Sequence, residues 1–120
     1  SETGKNVEFT FTPHLSPMFR GILTTIYCYT EKKHSINSII TTLKKFYKKE
    51  MFVKILKKNT LISTNNVINT NNCLISVFES KQKNQFIILS AIDNLIKGAA
   101  GQAVQNMNII FDIKEQRGLN

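Results

Sequence analysis

The sequence has few of the residues that mark metal sites, disulfide scaffolds or membrane spans. Its 120 residues include no tryptophan, two cysteines and two prolines, and neither cysteine has a CxxC partner or an adjacent histidine. We therefore expect no metal-ligand cluster and no disulfide framework. No apolar run approaches the roughly 18 residues of a transmembrane helix. Hydrophobic residues make up 42% and charged residues 20% of the chain. This balance excludes a disordered chain and predicts one globular domain with its own core.

The start of the chain and its cysteines bear on the compartment. Residues 1–6 contain no basic segment followed by an apolar one, so we expect no signal peptide. The first residue is Ser1 rather than methionine, which we interpret as an excised or processed piece of a longer chain. Cys28 and Cys73 each lie in an apolar, β-prone run. We expect two buried thiols in a reducing cytoplasm, with a disulfide or a reactive nucleophile as alternatives.

The net charge of +8 is carried mainly by lysine. The chain has 14 lysines against two arginines, together with 16 isoleucines and 13 asparagines. This combination is typical of an AT-rich genome, so codon usage explains much of the basicity. A surface that reads bases favours arginine, because its planar guanidinium makes paired hydrogen bonds. The charge is therefore only weak support for a nucleic-acid partner.

The apolar pattern predicts the element order β-β-α-β-β-β-α. This order favours an α+β domain with a mixed, mainly antiparallel sheet covered by helices. The β-prone runs predict strands over residues 7–15, 21–30, 52–56, 73–78 and 86–91. We expect the last two of these strands to form a hairpin, because only a short charged turn separates them. The polar segment 57–72 predicts turns and loops.

Two helices follow from apolar residues at helical spacing. Ser35 is a plausible N-cap for the first helix, and Asp93 caps a second helix over residues 94–108. The lysines of the first helix fall on or near its opposite face and in its last turn, which predicts a solvated surface. Its apolar stripe consists of Ile36, Ile39, Ile40, Leu43, Phe46 and Tyr47.

The second helix is unusual because it contains Gly98 and Gly101. Each glycine costs roughly 1 kcal/mol relative to alanine inside a helix. Their spacing of three places them on one helical face, which nearby alanines extend into a smooth surface. We expect either tight packing within the domain or close approach of a cofactor or a neighbouring domain. The spacing does not fit a dinucleotide-binding fingerprint, which lies in a strand-to-helix turn.

A proline-stiffened loop over residues 12–21 holds His14 and Arg20. Arginine is suited to carboxylate or phosphate, and loops on rigid elements often carry binding residues. A structural histidine and a surface ion pair are the alternatives. The sequence has no HExxH, no GxSxG and no glycine-rich phosphate loop. The residue types alone therefore favour a binding or assembly domain.

Several blocks of the sequence together form a family pattern. The run DNLIKGAAGQAVQNMN at residues 93–108 closely resembles the C-terminal signature of the N-acetyl-gamma-glutamyl-phosphate reductase family. The TPHLxPMxRGI stretch at residues 12–22 is similar to the family at the expected distance upstream. Weaker similarities lie at Ser63-Thr64, Val67, Thr70-Asn71, Glu115 and Gly118-Leu119. Together the blocks cover nearly the whole chain in the right order.

The resemblance implies an enzyme of arginine biosynthesis. The family reduces N-acetyl-glutamyl phosphate with NADPH to the semialdehyde and releases phosphate, after a cysteine thiolate has attacked the acyl phosphate. It combines an NADP-binding Rossmann domain with a catalytic α+β domain. The catalytic domain is like that of the glyceraldehyde-3-phosphate and semialdehyde dehydrogenases, and it makes much of the subunit interface. The resemblance places residues 1–120 as a single domain in the second part. The partners implied are a small-molecule substrate, the Rossmann domain and a second subunit.

The resemblance also implies that this chain alone is inactive. The glycine-rich NADP fingerprint, the nucleophilic cysteine and the acid/base histidine of the family all lie upstream. Neither Cys28 nor Cys73 matches the nucleophile motif, and His14 does not match the acid/base histidine. We therefore expect no catalytic residue and no metal site in these 120 residues.

The resemblance assigns candidate binding residues as well. In the superfamily the last helix packs against the cofactor domain near the nicotinamide, which implies cofactor contacts at Asn94, Gly98 and Gly101. His14 and Arg20 are candidates for the substrate side, because an arginine there suits an acidic substrate.

The sequence departs from the family at three positions, and two rival functions stay open. Asn69 and Asp112 stand where the family often has glycine, and Leu74 stands where an aspartate is often seen, which leaves a polar role there in doubt. Asparagine tolerates left-handed backbone, so the turn at Asn69 can still form. The rivals are a domain like that of aspartate-semialdehyde dehydrogenase and a non-catalytic basic module that binds nucleic acid.

Overall fold

The computed structural model describes Gly4 and residues 7–120. The expectation that no signal peptide is present rests largely on residues 1–3, 5 and 6, which lie outside the described residues. In the described part of the chain, no helix is long and apolar enough to cross a membrane.

The domain is built on a four-stranded mixed sheet with the order β1-β4-β3-β2. Strands β1 and β3 pair antiparallel with β4, whereas β2 pairs parallel with β3. This confirms the predicted α+β class and the mainly antiparallel sheet. The strands are β1 Ile22–Tyr29, β2 Val53–Ile55, β3 Cys73–Glu79 and β4 Gln85–Ile92.

The β3–β4 hairpin forms as the sequence predicts. Cys73 pairs with Ile92 and Glu79 with Phe86, so the register runs the full length of β3. Asn84 adopts a left-handed backbone (φ 59°) just before β4, a conformation that asparagine tolerates better than most residues. Side chains alternate along both strands, so each strand contributes apolar residues to both faces of the sheet.

Helix α1, Ile36–Phe46, covers one face of the sheet. Ser35 caps it as predicted, because the side chain accepts a hydrogen bond from the backbone N–H of Ser38. Ile36 and Ile40 are buried against side chains of β3 and β4. The prediction that Phe46 belongs to the buried stripe is wrong, since its side chain is 76% exposed at the end of the helix.

The segment between β2 and β3 covers the opposite face. Ile62 and Val67 are buried against Ala91 of β4, with Leu74 of β3 packed beside them. The expected turns are present, including a 3₁₀ turn at Thr64–Asn66. Two apolar anchors hold this polar segment on the sheet, and they place its turns beside the end of β4.

The prediction of one continuous helix over residues 94–108 is wrong. The chain forms a π-helical turn at Ile96–Ala100, leaves helical geometry at Ala99 (φ −150°, ψ −105°), and continues as helix α2, Gly101–Ile110. Bonds of the i to i−5 type define the turn, including those from Gly98 N to Asp93 O and from Ala100 N to Leu95 O. The break turns Gly98 outward and Gly101 inward. The two glycines therefore do not share one face.

Helix α2 buries polar residues and exposes several apolar ones. Gln105 and Asn108 are buried, and Asn108 Nδ2 donates to two backbone carbonyls of the C-terminal segment. Ala99, Ala103 and Met107 are exposed. An ordinary surface helix buries its apolar residues instead, although the exposed hydrogen bond between Gln102 and Asn106 keeps part of the outer face polar.

The predicted first strand, residues 7–15, is also wrong. In the described part of the chain these residues are exposed and form no strand, although Phe9 and Phe11 are β-prone and apolar. A strand exists only where a neighbour accepts its backbone hydrogen bonds, and β1, the adjacent edge of the described sheet, pairs only with β4. The proline at position 13 removes one donor as well.

Both cysteines are half-buried free thiols, so the chain carries no Cys28–Cys73 disulfide. Partial burial raises the pKa of the Cys28 thiol, which disfavours the reactive thiolate. Cys73 lies 3.4 Å from the hydroxyl of Ser90, sulfur to oxygen.

Candidate functional site

Three separate segments meet at the carboxylate of Asp93, at the end of β4. This side chain is fully buried. Its Oδ1 accepts hydrogen bonds from Arg20 Nε (3.0 Å) and from the backbone N–H groups of Leu95 (2.8 Å) and Ile96 (3.0 Å). Its Oδ2 accepts the backbone N–H of Asn69 (2.7 Å) and lies 3.0 Å from Arg20 Nε. One carboxylate therefore joins the proline loop, the segment before β3 and the start of the last helical region.

The environment keeps Asp93 ionised. Burial alone would raise the pKa of Asp93, but the three backbone N–H groups and the Arg20 guanidinium outweigh it and hold the pKa below its usual value. A buried charge is tolerated only when it is paired and fully hydrogen-bonded, and this carboxylate meets both conditions.

Within the described residues, the guanidinium of Arg20 is bound only through Nε. Its side chain is 18% exposed, and Nε makes the ion pair with Asp93. Among the described residues, neither terminal nitrogen, Nη1 or Nη2, makes a hydrogen bond. The guanidinium is planar and rigid, so fixing Nε also fixes the direction of the terminal N–H groups. Within the described part of the chain, these N–H groups can therefore donate to an oxyanion.

A second bond ties the same loop to the residue after Asp93. The amide oxygen of Asn94 accepts the backbone N–H of Gly21 at 2.7 Å. Gly21 has a positive φ of 105°, and a Cβ at this position would overlap the side chain of Thr64. Only glycine fits here, because both the conformation and the space exclude a side chain. The amide nitrogen of Asn94 makes no hydrogen bond within the described residues.

Asn69 adopts the left-handed turn that its asparagine permits (φ 63°), which confirms the expectation from the sequence. The turn directs the backbone N–H of Asn69 at Asp93 Oδ2. Asp112, which also stands at a position where glycine is usual, has a positive φ of 53°. Both departures therefore occupy conformations that asparagine and aspartate tolerate better than most residues.

A chain of polar side chains lies behind the π-helical turn. Gln105 Oε1 accepts hydrogen bonds from Asn71 Nδ2 (2.8 Å) and Lys97 Nζ (2.7 Å), and Gln105 Nε2 donates to Glu115 Oε1 (2.7 Å). Partial burial lowers the pKa of Lys97. Asn71 Oδ1 is the one buried side-chain oxygen or nitrogen without a partner in the described part of the chain. A Cβ on Gly101 would lie 2.5 Å from it.

Only some of the site residues predicted from the sequence lie near Asp93. It joins Arg20 and Asn94 to the group around Asp93. Gly98 is exposed next to this group, whereas Gly101 is covered by Asn71 and Ile96 and offers no surface to a cofactor. His14 is exposed and contacts the carbonyl of its own loop residue Thr12 (3.1 Å), so it is not part of the group.

Sequence reasoning missed the pairing of Arg20 with Asp93, which are 73 residues apart. A signal was present, because the chain has only two aspartates and two arginines, and one of each stands in a singled-out block. Within residues 7–120 and Gly4, no group of three or more histidine, cysteine, aspartate or glutamate side chains is placed to hold a metal ion.

Comparisons with known proteins define the family. The sequence model of the semialdehyde dehydrogenase dimerisation domain matches residues 1–94, and the chain belongs to that family. The chain is also similar to three enzymes named N-acetyl-gamma-glutamyl-phosphate reductase. The one from Clostridium botulinum (strain Eklund 17B / Type B) is 54% identical and covers 95% of this chain. Those from Thermoanaerobacter pseudethanolicus and Methanococcus maripaludis are 50% and 46% identical over 98% and 97% of it. The chain spans about a third of the length of these curated relatives.

Proposed function

We propose that the chain is the catalytic and dimerisation domain of a cytoplasmic oxidoreductase of arginine biosynthesis. The whole protein would reduce N-acetyl-glutamyl phosphate to N-acetyl-glutamate semialdehyde with NADPH and release phosphate. The observation that carries this proposal is the meeting of three sequence blocks at Asp93. The blocks that resemble the reductase family, at residues 12–22, 63–71 and 93–108, are far apart in sequence and share one buried carboxylate.

We propose that Arg20 binds an oxyanion of the substrate. N-acetyl-glutamyl phosphate carries one carboxylate and one phosphate, and paired N–H groups of arginine suit either. Arg20 meets the requirement because its Nε is engaged by Asp93 and its terminal nitrogens are not bonded within the described residues. His14 stays a weaker candidate, since it lies on the same loop but contacts only that loop.

The residues present fit a nicotinamide cofactor at Asn94 and Gly98. The amide oxygen of Asn94 is occupied by Gly21 N–H, which leaves the amide nitrogen to donate to a carboxamide. Gly98 is exposed beside it, and the absence of a side chain permits close approach of a flat ring. When bound, NADPH supplies hydride. The role of this chain is to hold the nicotinamide ring in place. The cofactor contact includes Asn94 and Gly98 but not the buried Gly101.

We propose that an NADP-binding Rossmann domain precedes this domain and rests on the outer face of α2. The exposed residues Ala99, Ala103 and Met107 give that face an apolar patch, and polar side chains fill the inner face. The mass of the native polypeptide in cell extract tests this. We expect about three times the 13.7 kDa of this chain. A native polypeptide of 13.7 kDa would contradict it.

We further propose that the domain joins two copies of the protein. Strand β1 forms one edge of the described sheet, and Leu23, Ile26 and Tyr27 are between 42% and 62% exposed on its two faces. A second copy that covers this strand would bury these side chains. Sedimentation of the full-length protein should therefore give a dimer or a larger oligomer.

The activity is tested with the full-length protein that carries this chain, assayed for phosphate-dependent NADP reduction. N-acetyl-glutamate semialdehyde should support the reaction, and the 120-residue chain alone should not. Aspartate semialdehyde is the control substrate, since a preference for it would favour the related aspartate enzyme. Absence of either reaction, together with salt-sensitive binding of nucleic acid, would favour a binding module instead.

A further inference from the structure

We infer that Asp93 is a positioning residue that orients Arg20 toward the substrate oxyanion. The inference rests on the proposed function, because it assigns the residue that prepares the substrate-binding arginine. Asp93 itself is fully buried and does not face a ligand. It acts through Arg20 Nε, to which both of its carboxylate oxygens lie at 3.0 Å.

The loop that carries Arg20 has few other attachments. Residues 7–20 are exposed except for the half-buried Arg20, with Phe19 among the most exposed apolar residues. In the described part of the chain, the hydrogen bonds that tie residues 7–21 to the rest of the domain are those from Arg20 to Asp93 and from Gly21 to Asn94. Without the ion pair, no other polar group of the described residues would fix the direction of the Arg20 side chain.

A helix cap alone does not require this residue. Serine and asparagine satisfy the N–H groups at the start of a helix about as well as aspartate. The carboxylate differs because it carries a charge and a second acceptor oxygen. Oδ1 serves Leu95 and Ile96, while Oδ2 serves Asn69, and both oxygens face the guanidinium. The ionised carboxylate therefore caps the start of the helix and also binds the Arg20 guanidinium.

The arrangement also couples the two sides of the proposed site. Asp93 fixes Arg20 on the substrate side, and the next residue, Asn94, fixes Gly21 and offers its amide nitrogen on the cofactor side. Adjacent residues on one backbone thus set the positions of both candidate contacts. Binding energy in enzymes depends on such preorganisation, since a group displaced by about 1 Å loses much of its effect.

The test is a double-mutant cycle in the full-length protein with Asp93→Asn, Arg20→Met and the double variant. The reaction is run toward NADP reduction, in which phosphate and the carboxylate of the semialdehyde belong to different substrates. We expect Asp93→Asn to raise the KM of one of them about tenfold or more, the loss expected for one charge-assisted hydrogen bond. Arg20→Met should raise the same KM, and the double variant should be no worse than Arg20→Met. The affected KM identifies the oxyanion that Arg20 binds.

The chain supplies matched controls at its other aspartate and arginine. Asp112→Asn and Arg117→Met change the same charges at exposed positions and should leave each KM unchanged. Thermal unfolding gives a separate readout. Asp93→Asn should lower the midpoint in both Arg20 backgrounds, because the bonds to the Asn69 and helix-start backbone do not depend on Arg20. Arg20→Lys keeps a charge for Asp93 but has no terminal fork, so it should raise the same KM; a normal KM in this folded variant would overturn the inference.

Other results would also overturn it. If Asp93→Asn raises KM by the same factor with and without Arg20, Asp93 does not act through Arg20. If Arg20→Met raises a KM and the folded Asp93→Asn variant does not, the ion pair does not position Arg20. If the wild-type protein shows no reaction, the proposed function fails by itself. The same cycle is then read from the dissociation constants of inorganic phosphate and of N-acetyl-glutamate semialdehyde, each measured by calorimetry. If neither dissociation constant changes on either substitution, the inference is rejected.

Discussion

Two glycines that are three residues apart have different surroundings, which predicts opposite effects when each is replaced by alanine. At Gly101, an added Cβ would lie 2.5 Å from both Asn71 Oδ1 and Ile96 Cγ2 and 2.8 Å from the backbone carbon of Ile96. Asn71 is fully buried, and its Nδ2 is bound to Gln105. The neighbours therefore have little freedom to move. At Gly98, the nearest atoms to an added Cβ are 3.4 Å away, which is ordinary contact.

We expect Gly101→Ala to destabilise the domain and Gly98→Ala to stabilise it. Alanine gains about 1 kcal/mol over glycine in a helix, and overpacking a filled site costs about 1 to 3 kcal/mol. For Gly101→Ala the overlap outweighs the gain, so the free energy of unfolding should fall by up to about 2 kcal/mol. For Gly98→Ala it should rise by up to about 1 kcal/mol. Denaturant unfolding of both variants measures the difference, and a Gly101→Ala variant as stable as Gly98→Ala would refute the packing described here.

Four further predictions concern the charge of Asp93, the cap at Ser35, the turn at Asn69 and the uncovered face of α2. The pKa of Asp93 is lowered on folding, so its stabilisation is present above its unfolded pKa of about 3.9 and is lost as pH falls through the folded pKa. Asp93→Asn should therefore lower the free energy of unfolding by about 3 kcal/mol or more at neutral pH, and the difference should shrink below about pH 4. Urea unfolding at several pH values measures this difference, and a difference that does not change with pH would contradict the ion pair. Ser35→Ala should cost about 1 kcal/mol in the same assay, and no loss would speak against the cap. Asn69→Ala should lower stability by about 1 kcal/mol whereas Asn69→Gly should not, because the position has φ 63°. The 120-residue chain alone should associate weakly or unfold readily, since the apolar face of α2 is uncovered; a monodisperse and highly stable monomer in sedimentation would argue against this.

The elements that the sequence predicts correctly are those set by local residues. The cap at Ser35 and the β3–β4 hairpin depend on side chains within a few positions of each other, so their patterns could be recognised. The strand predicted over residues 7–15 is wrong because strand formation depends on a distant partner, which the described sheet does not provide. β-propensity reflects fit to a sheet and cannot supply that neighbour.

The break at Ala99 could not be predicted from spacing. Apolar residues from Leu95 to Met107 recur with helical period, which favours a straight helix with those residues inside. The structure instead buries Gln105 and leaves the alanines exposed. Buried polar groups must be hydrogen-bonded, and Gln105 bonds to both Asn71 and Glu115. The π-helical turn shifts the helix face so that these partners meet. Such turns occur often at functional sites.

The site was predictable in its parts and not in its connections. Residue chemistry and resemblance singled out Arg20 and Asn94, and both lie in the group around Asp93. Their binding roles stay predictions. The sequence could not show that the only buried aspartate of the described chain would pair with the loop arginine, since a contact across 73 residues is set by the fold.

The most direct test of the central claim is a crystal structure of the full-length protein with NADP and inorganic phosphate. The claim is that the segments joined at Asp93 form the substrate and cofactor side of a reductase. We expect an oxyanion within hydrogen-bond distance of Arg20 Nη1 or Nη2 and the nicotinamide amide beside Asn94. An oxyanion bound elsewhere, with Arg20 and Asn94 remote from both ligands, would contradict it.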